Sequence, residues 1–219
     1  MNPAVIPLEF MIDRVGQIAQ KLEQLIQGNR QPFGTRGHEK KRNPPVPESE
    51  IIEFEQQYNV GLPSGYRTFL LEATGGPIGP AYGLFPFHSI VDYGRSNPPA
   101  DILSIPFPHA QHFDDGCDPN WSEIVRKCDD GEISDDEFDI LYTYVDAGTV
   151  AICDEGCGHV HRMVVTGPTR GQMWIDSSGS ELGYIPLGVS FLDWYEKWID
   201  HCLAGGNGIW WLPKPEDTG

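Results

Sequence analysis

The stretch EIIEFEQQYNVGLPSGYRTFLLEATGG, residues 50–76, decides how the fold begins, because it encodes two short helices that meet at a corner. Apolar side chains recur at helical spacing before and after Pro63, and a proline at that position interrupts a helix. Ser49 and Ser64 are the expected N-caps of the two helices, and Gly76 lies just past the second one. The sequence therefore predicts a helix–corner–helix unit.

Short segments rich in β-branched and aromatic residues follow in the second half of the chain: TVAIC at 149–153, HVHRMVV at 159–165, QMWID at 172–176 and LGYIPL at 182–187. Their links are too short for parallel crossovers, which predicts an antiparallel meander. With short strands expected in the Pro-rich region 82–113, the sheet should have about five or six strands. Ser190 then caps a closing helix, so we predict an α+β fold in which helices pack on an antiparallel sheet.

The first 47 residues are expected to be separable from this core. Apolar residues recur every three or four positions across residues 8–26, which predicts an extra amphipathic helix that ends at Gly28. Residues 28–47 combine Gly, Pro and a basic run at residues 40–42. We interpret them as a mobile linker whose charges lie in solvent.

The acidity of the chain belongs to its body rather than to this N-terminal segment. Residues 1–47 hold 7 basic and 4 acidic side chains, a net charge of +3, whereas residues 48–219 hold 8 basic and 28 acidic ones, a net charge of −20. We assign the main domain to residues 48–205 and a C-terminal tail to residues 206–219.

An acidic region at 114–146 is expected to be an insertion in the main domain. Apolar residues keep a helical rhythm through it, which predicts two short helices joined by a turn. Ser134 and Glu137 have the spacing of a capping box at the start of the second helix.

The composition excludes several classes of function. A net charge of −17 disfavours binding to nucleic acid or to an anionic membrane, because both depend on Lys and Arg. No apolar run reaches the roughly 20 residues of a membrane-spanning helix. An odd number of cysteines, 5, together with an N-terminus that has acids where a signal peptide needs apolar residues, leads us to expect a soluble cytoplasmic protein.

The order of motifs resembles one family. EIIEFEQQYNVGLPSGYRTFLLEATGG, GLFPF, AICDEGCG, MVVTGPTRGQMWID and SFLDWYEKW follow one another as in the SUKH superfamily, which includes the yeast cell-wall assembly regulator and many bacterial immunity proteins. The resemblance covers the chain from about Pro47 to Leu203. It implies a non-catalytic module that binds a protein and, in bacterial members, often neutralises a toxin by occupying its active face.

The alternative from another class is a zinc- or thiol-dependent hydrolase. Cys153, Cys157, His159 and His161 place four possible zinc ligands within nine residues. Structural zinc sites usually draw their ligands from separated pieces of chain, whereas these four lie on one strand and turn. We therefore expect no metal, no cofactor and no catalytic residue, and keep the cluster as the competing hypothesis.

The expected partner is a protein, with a basic toxin domain such as a nuclease as the favoured candidate, and the sequence assigns no oligomeric state. Complementary charge would speed association with such a partner and block the surface that holds its phosphates. The candidate partner-binding residues are the acids of the insertion, Asp114, Asp115, Asp118, Asp129, Asp130 and Glu132.

Overall fold

The computed structural model describes residues 7–95, 98–114, 118–180 and 182–207, and its elements confirm the α+β class. The helices are α1 (Leu8–Gln27), α2 (Thr35–His38), α3 (Glu48–Gln57), α4 (Ser64–Glu72), α5 (Pro119–Asp129), α6 (Asp135–Thr143) and α7 (Phe191–Leu203). The strands are β1 (Thr149–Gly156), β2 (His159–Val164), β3 (Gln172–Asp176) and β4 (Tyr184–Ser190).

The strands form one antiparallel sheet in the order β1-β2-β3-β4, as the short links between them require. Arg162 of β2 is paired in register with Trp174 of β3, and Asp176 of β3 with Tyr184 of β4. Because side chains alternate across a strand, these four lie on one face of the sheet and Met163 lies on the other.

The prediction of about five or six strands is wrong for the described residues, whose sheet has four. The region 82–113 pairs with the sheet through single bridges, which join Leu84 to Cys153 and Phe113 to Tyr184. Prolines recur throughout this region and lack the N–H donor that a ladder needs. The pairing therefore does not extend into further strands.

The main core lies between one face of the sheet and the helices α1, α3, α4 and α7. Phe69 of α4 meets two rings of α7 edge to face, with centroid distances of 5.0 Å to Phe191 and 4.7 Å to Tyr195. The buried hydroxyl of Tyr195 donates to the carbonyl of Ile78 at 2.7 Å, so it carries no unsatisfied polar group into the core.

Helix α1 completes this core. Ile18 and Leu22 are fully buried, and Lys21 Nζ lies 2.8 Å from Glu196 Oε1 on α7. The expectation that residues 1–47 are separable does not fit this packing, because removing α1 would expose the apolar surface of α4 and α7. The boundary at residue 47 itself stays a prediction.

Two of the three cations in the basic run after α2, Lys40 and Arg42, are anchored, whereas Lys41 is exposed. Lys40 Nζ donates to the carbonyls of Leu25 at 3.1 Å and Gly28 at 2.6 Å, at the C-terminus of α1. Arg42 donates from Nε and Nη2 to the carbonyl of Ala73, at 3.1 and 2.7 Å, at the C-terminus of α4. Both cations thus satisfy carbonyls that helix ends leave without partners, and the interpretation as a mobile linker is wrong here.

The helix caps follow the sequence in part. Ser134 and Ser190 form the capping boxes of α6 and α7. The sequence predicted a capping box at Ser134 and a simple N-cap at Ser190. Helices α3 and α4 instead begin directly after Pro47 and Pro63, and neither has a side-chain cap. The fixed φ of proline orients the chain there, so Ser49 lies inside α3 and caps nothing.

Replacing Leu22 with Ala should lower the free energy of unfolding by about 2–5 kcal/mol, since it leaves a cavity between α1 and its neighbours. Ile12→Ala, on the exposed side of the same helix, should cost less than about 1 kcal/mol. Urea denaturation measures both. Equal and small losses would show that α1 does not complete the core.

The buried imidazole of His38 should make stability depend on pH. Burial, aided by the charge of Lys40, lowers its pKa from 6.5 to about 4, while Nδ1 accepts the backbone N–H of Lys40 at 3.0 Å. As pH falls from about 6.5 to about 4, His38 becomes protonated in the unfolded chain while it stays neutral in the folded protein. Proton uptake therefore favours the unfolded state, and the folded state loses stability. Over this pH range the free energy of unfolding should fall more steeply for the wild-type protein than for His38→Gln, as urea denaturation at each pH would measure. If the two proteins show the same dependence on pH, His38 does not have a lowered pKa in the folded state.

Candidate partner-binding site

The predicted insertion forms a helical hairpin, here called the acidic hairpin and defined as residues 118–144. Asp118 begins α5 by accepting the backbone N–H groups of Asn120 and Trp121 on Oδ1, both at 2.9 Å. Ser134 begins α6, and its hydroxyl accepts the N–H of Glu137 at 3.3 Å. These caps fix the starts of both helices without help from the rest of the protein.

Aromatic side chains attach the acidic hairpin to the second face of the sheet. Trp121 of α5 is buried and lies 5.8 Å from the ring of Phe138 and 5.6 Å from that of Tyr142, both on α6. This group joins a second apolar cluster that includes Val164 and Trp174 of the sheet. The inner side of the hairpin is thus held by packing, and its acids remain on the outside.

The structure places the predicted partner-binding acids in different settings. Asp129, Asp130 and Glu132 are exposed around the turn between α5 and α6. Asp118 is half-buried and serves as the cap of α5, and Asp114 is half-buried just before it. Asp115 lies outside the described residues.

The turn of the acidic hairpin has an incomplete charge balance. Arg126 pairs with Glu123 at 2.9 Å, with Glu132 at 3.1 Å and also with Asp130. The hairpin as a whole contains 9 acidic and 2 basic side chains, so its net charge is −7. Arg126 therefore organises the turn without neutralising it.

Large apolar side chains accompany these acids, which the sequence reasoning did not anticipate. On α6 and just after it, Ile140 is 58% exposed, Leu141 41% and Tyr144 37%. Their signal in the sequence was the apolar run at the end of α6, where apolar residues occupy more than one side of the helix. The outer surface of the hairpin thus combines carboxylates with apolar groups.

A buried network of charges lies beside the hairpin on the same face of the sheet. Arg95 Nε donates to Asp146 Oδ1 at 2.8 Å, and Arg162 Nε donates to Asp176 Oδ2 at 3.0 Å. Arg162 Nη1 also lies 2.9 Å from Asp146 Oδ2, which joins the two pairs. The sequence reasoning missed this network, although a lone Arg inside the apolar strand HVHRMVV was a readable signal.

Burial and mutual charge set the protonation of the network. Burial lowers the pKa of Arg95 below its ordinary value, although Asp146 opposes the shift. Burial works in the same direction on Arg162, but the carboxylates of Asp146 and Asp176 outweigh it and raise its pKa. Burial, followed by the charges of Asp176 and Asp146, also raises the pKa of Tyr184 well above its usual range, so its hydroxyl stays protonated.

An open cleft of about 480 Å³ lies over this network. Its floor includes Arg162, Asp176 and Tyr184, and its wall on the α6 side includes Asp139 and Ile140. We call it the arginine cleft. It connects the charged floor to the outer surface of the acidic hairpin.

The four residues of the zinc or thiol hypothesis do not meet at one point, although Cys153 and His161 are paired across β1 and β2. Cys153 is buried in the main core, where burial raises the pKa of its thiol well above the ordinary value. Cys157 is exposed at the β1–β2 turn, His159 Nδ1 lies 2.8 Å from Ser177 Oγ, and His161 Nε2 lies 3.0 Å from Glu155 Oε2. In the described ranges, no three His, Cys, Asp or Glu side chains form a group suited to a metal ion.

The fold and site together define an α+β domain with a four-stranded antiparallel meander, a helical layer on one face and a charged hairpin on the other. The chain belongs to the SMI1/KNR4 family (SUKH-1), whose family model matches residues 45–197. This confirms the resemblance drawn from the sequence and fits an immunity-protein-like module that binds protein partners. No curated protein and no solved structure matches the chain. Among the described helices, none has the length and apolar character needed to cross a bilayer.

Replacing Asp146 with Asn should lower the free energy of unfolding by about 3–5 kcal/mol, because it leaves two buried guanidinium groups short of a counter-charge. Asp13→Asn, a loss of the same charge on the exposed side of α1, should change stability by less than about 0.5 kcal/mol. Chemical denaturation of the two variants compares them directly. If Asp146→Asn loses no more unfolding free energy than Asp13→Asn, the buried network does not stabilise the fold.

Proposed function

We propose that this protein is a non-catalytic binding module of the immunity type, which neutralises a basic toxin domain by occluding its active face. Membership of the SMI1/KNR4 family supports the class of function. The choice of a basic partner rests on a single observation, the exposed carboxylates at the turn of the acidic hairpin. The proposal assigns the protein to the cytoplasm, since the described cysteines are free thiols.

The exposed carboxylates suit a partner that binds phosphates. Asp129, Asp130 and Glu132 point away from the apolar cluster that holds the acidic hairpin and lie at its outer end. A nuclease active face is rich in Lys and Arg, so the hairpin would be steered toward it and would compete with its nucleic acid. Electrostatic complementarity of this kind acts mainly on the association rate.

The apolar side chains of the hairpin supply the other half of an interface. Ile140, Leu141 and Tyr144 offer surface that a partner can remove from water, while the carboxylates form a polar rim. An interface with an apolar centre and a charged rim combines slow dissociation with fast association. The hairpin therefore has the composition that an inhibitor of a basic protein needs.

The competing hydrolase hypothesis has no support in the arrangement of the candidate residues. A thiol nucleophile needs a lowered pKa and a base within hydrogen-bond reach. Burial raises the pKa of Cys153 instead. Its cross-strand neighbour His161 lies against Glu155 through Nε2, and His159 lies against Ser177. We propose no catalytic residue and no cofactor.

The test first searches the genes adjacent to this one for a toxin domain, and then measures association with a catalytically inactivated form of that domain. In the triple variant Asp129→Asn, Asp130→Asn, Glu132→Gln, the association rate constant should fall by about tenfold or more, since steering depends on these charges. The rate should also fall as salt rises, because screening shortens the reach of surface charges. Asp118 is left intact because it caps α5.

The matched control removes the same charge from the helical layer, in the triple variant Asp13→Asn, Glu53→Gln, Glu72→Gln, all at exposed positions. Its association rate should stay close to that of the wild-type protein. If the hairpin triple variant and the control behave alike, the acidity serves solubility. If no neighbouring toxin domain binds, the immunity function itself is contradicted.

A further inference from the structure

The floor of the arginine cleft is electrically neutral. Arg95 pairs with Asp146, and Arg162 pairs with both Asp146 and Asp176, so two guanidinium groups face two carboxylates. The side chains of Arg95 and Arg162 are only 2% and 3% exposed. Arg95 also donates from Nη1 and Nη2 to backbone carbonyls. Both cations are thus engaged within the protein, and neither is offered to a ligand in the cleft.

The wall of the cleft carries a carboxylate that lacks a partner. Asp139 on α6 is exposed and lines the cleft, and within the described residues its carboxylate forms no ion pair and no hydrogen bond. The negative charge of the surrounding acidic hairpin adds to the potential at the mouth of the cleft. Above a neutral floor, the uncompensated charge of Asp139 favours a cationic ligand.

Two hydroxyl groups of the lining can accept hydrogen bonds from such a ligand. Tyr184 is 3% exposed, and its hydroxyl forms no hydrogen bond with the described part of the chain, yet it is not sealed from solvent. Thr143 donates its hydroxyl proton to the carbonyl of Asp139 at 2.8 Å, which leaves the lone pairs of its oxygen available. A largely buried hydroxyl without a partner is costly, so Tyr184 favours a ligand with a donor.

We propose that the arginine cleft binds a lysine side chain of the partner, with the ammonium group at Asp139. An ammonium group has three donors and no acceptor, so it suits a lining that offers acceptor oxygens. The aliphatic stem lies against Pro99, Ile140 and Val160, which line the same cleft. The volume of about 480 Å³ accommodates a whole lysine side chain. The source of this lysine, a basic toxin domain, rests on the proposed function.

The lining favours lysine over arginine. Arginine gains most where a carboxylate is held in place for two parallel hydrogen bonds. Asp139 is exposed and no partner among the described residues fixes its carboxylate, so the cleft has no such preformed site. The separate hydroxyl oxygens of Thr143 and Tyr184 suit a compact ammonium group, whose donors rotate freely.

An NMR titration of the full chain with three small probes tests the cleft by itself. Nα-acetyllysine methylamide carries the proposed side chain, Nα-acetylnorleucine methylamide has the same stem without the ammonium group, and Nα-acetylarginine methylamide presents a guanidinium. The lysine probe should bind about tenfold or more tightly than the norleucine probe, because the latter lacks the charge-assisted hydrogen bonds. It should also shift the backbone amide signals of Gly158 and Gly179, which line the cleft.

Three results of this titration would overturn the proposal: equal binding of the lysine and norleucine probes, tighter binding of the arginine probe, or no shift of these signals at high millimolar concentrations of the lysine probe.

Two matched variants separate a direct contact from the general charge of the hairpin. Asp139→Asn and Asp136→Asn each remove one charge from an exposed position of α6, so both should fold, but only Asp139 lines the cleft. Asp139→Asn should weaken binding of the lysine probe about threefold or more, and Asp136→Asn should weaken it less. Equal effects would mean that the probe responds only to overall charge, and would overturn the proposal.

The same two variants distinguish this proposal from the proposed function when a toxin domain is bound. A side chain seated in the cleft acts on dissociation, so Asp139→Asn should raise the dissociation rate constant about threefold or more over that of Asp136→Asn. If the two variants dissociate alike while the hairpin triple variant still slows association, the lysine contact is contradicted and the proposed function stands. If no toxin domain binds, the proposed function is contradicted, and the probe titration still decides whether the cleft binds lysine.

Discussion

The contact on which the second face of the sheet depends is the double ion pair of Arg162 with Asp146 and Asp176. The first face is covered by four helices and is mainly apolar, with His161 as a buried polar side chain beside Trp194. The second face contains a guanidinium in mid-strand, and a buried charge of that kind is tolerated only with counter-charges around it. Asp146 lies in the connection from α6 to β1, so this pairing also fixes where the acidic hairpin leaves the sheet.

The covering of the second face explains why the acidic hairpin and the arginine cleft, two surfaces of different character, lie next to each other. Aromatic packing of Trp121 holds the inner side of the acidic hairpin and leaves its acids outside. Beside it, the charged floor cannot be filled with apolar side chains, so a cleft remains.

Much of the fold was predictable because its signals are local. Helical periodicity located α1 and α7, and short links between apolar segments predicted the antiparallel meander. The predictions that were wrong concern contacts between residues that lie far apart in the sequence. Lys40 and Arg42 looked like a solvated basic run, because a sequence does not reveal that the carbonyls of Gly28 and Ala73 lie within their reach. The candidate acids were read by their charge, yet only the structure separates the capping Asp118 from the exposed Asp129. The network of Arg162 was missed because its four members come from four separate segments of the chain.

The most direct test of the central claim is a double-mutant cycle on Arg162 and Asp176, with Arg162→Met, Asp176→Leu and the combined variant compared by urea denaturation. If the pair organises the second face, each single variant should lose about 3–5 kcal/mol of unfolding free energy, and the double variant should lose much less than the sum, with a coupling of about 2 kcal/mol or more. Additive losses would contradict the account, because they would mean that the two charges stabilise the sheet independently.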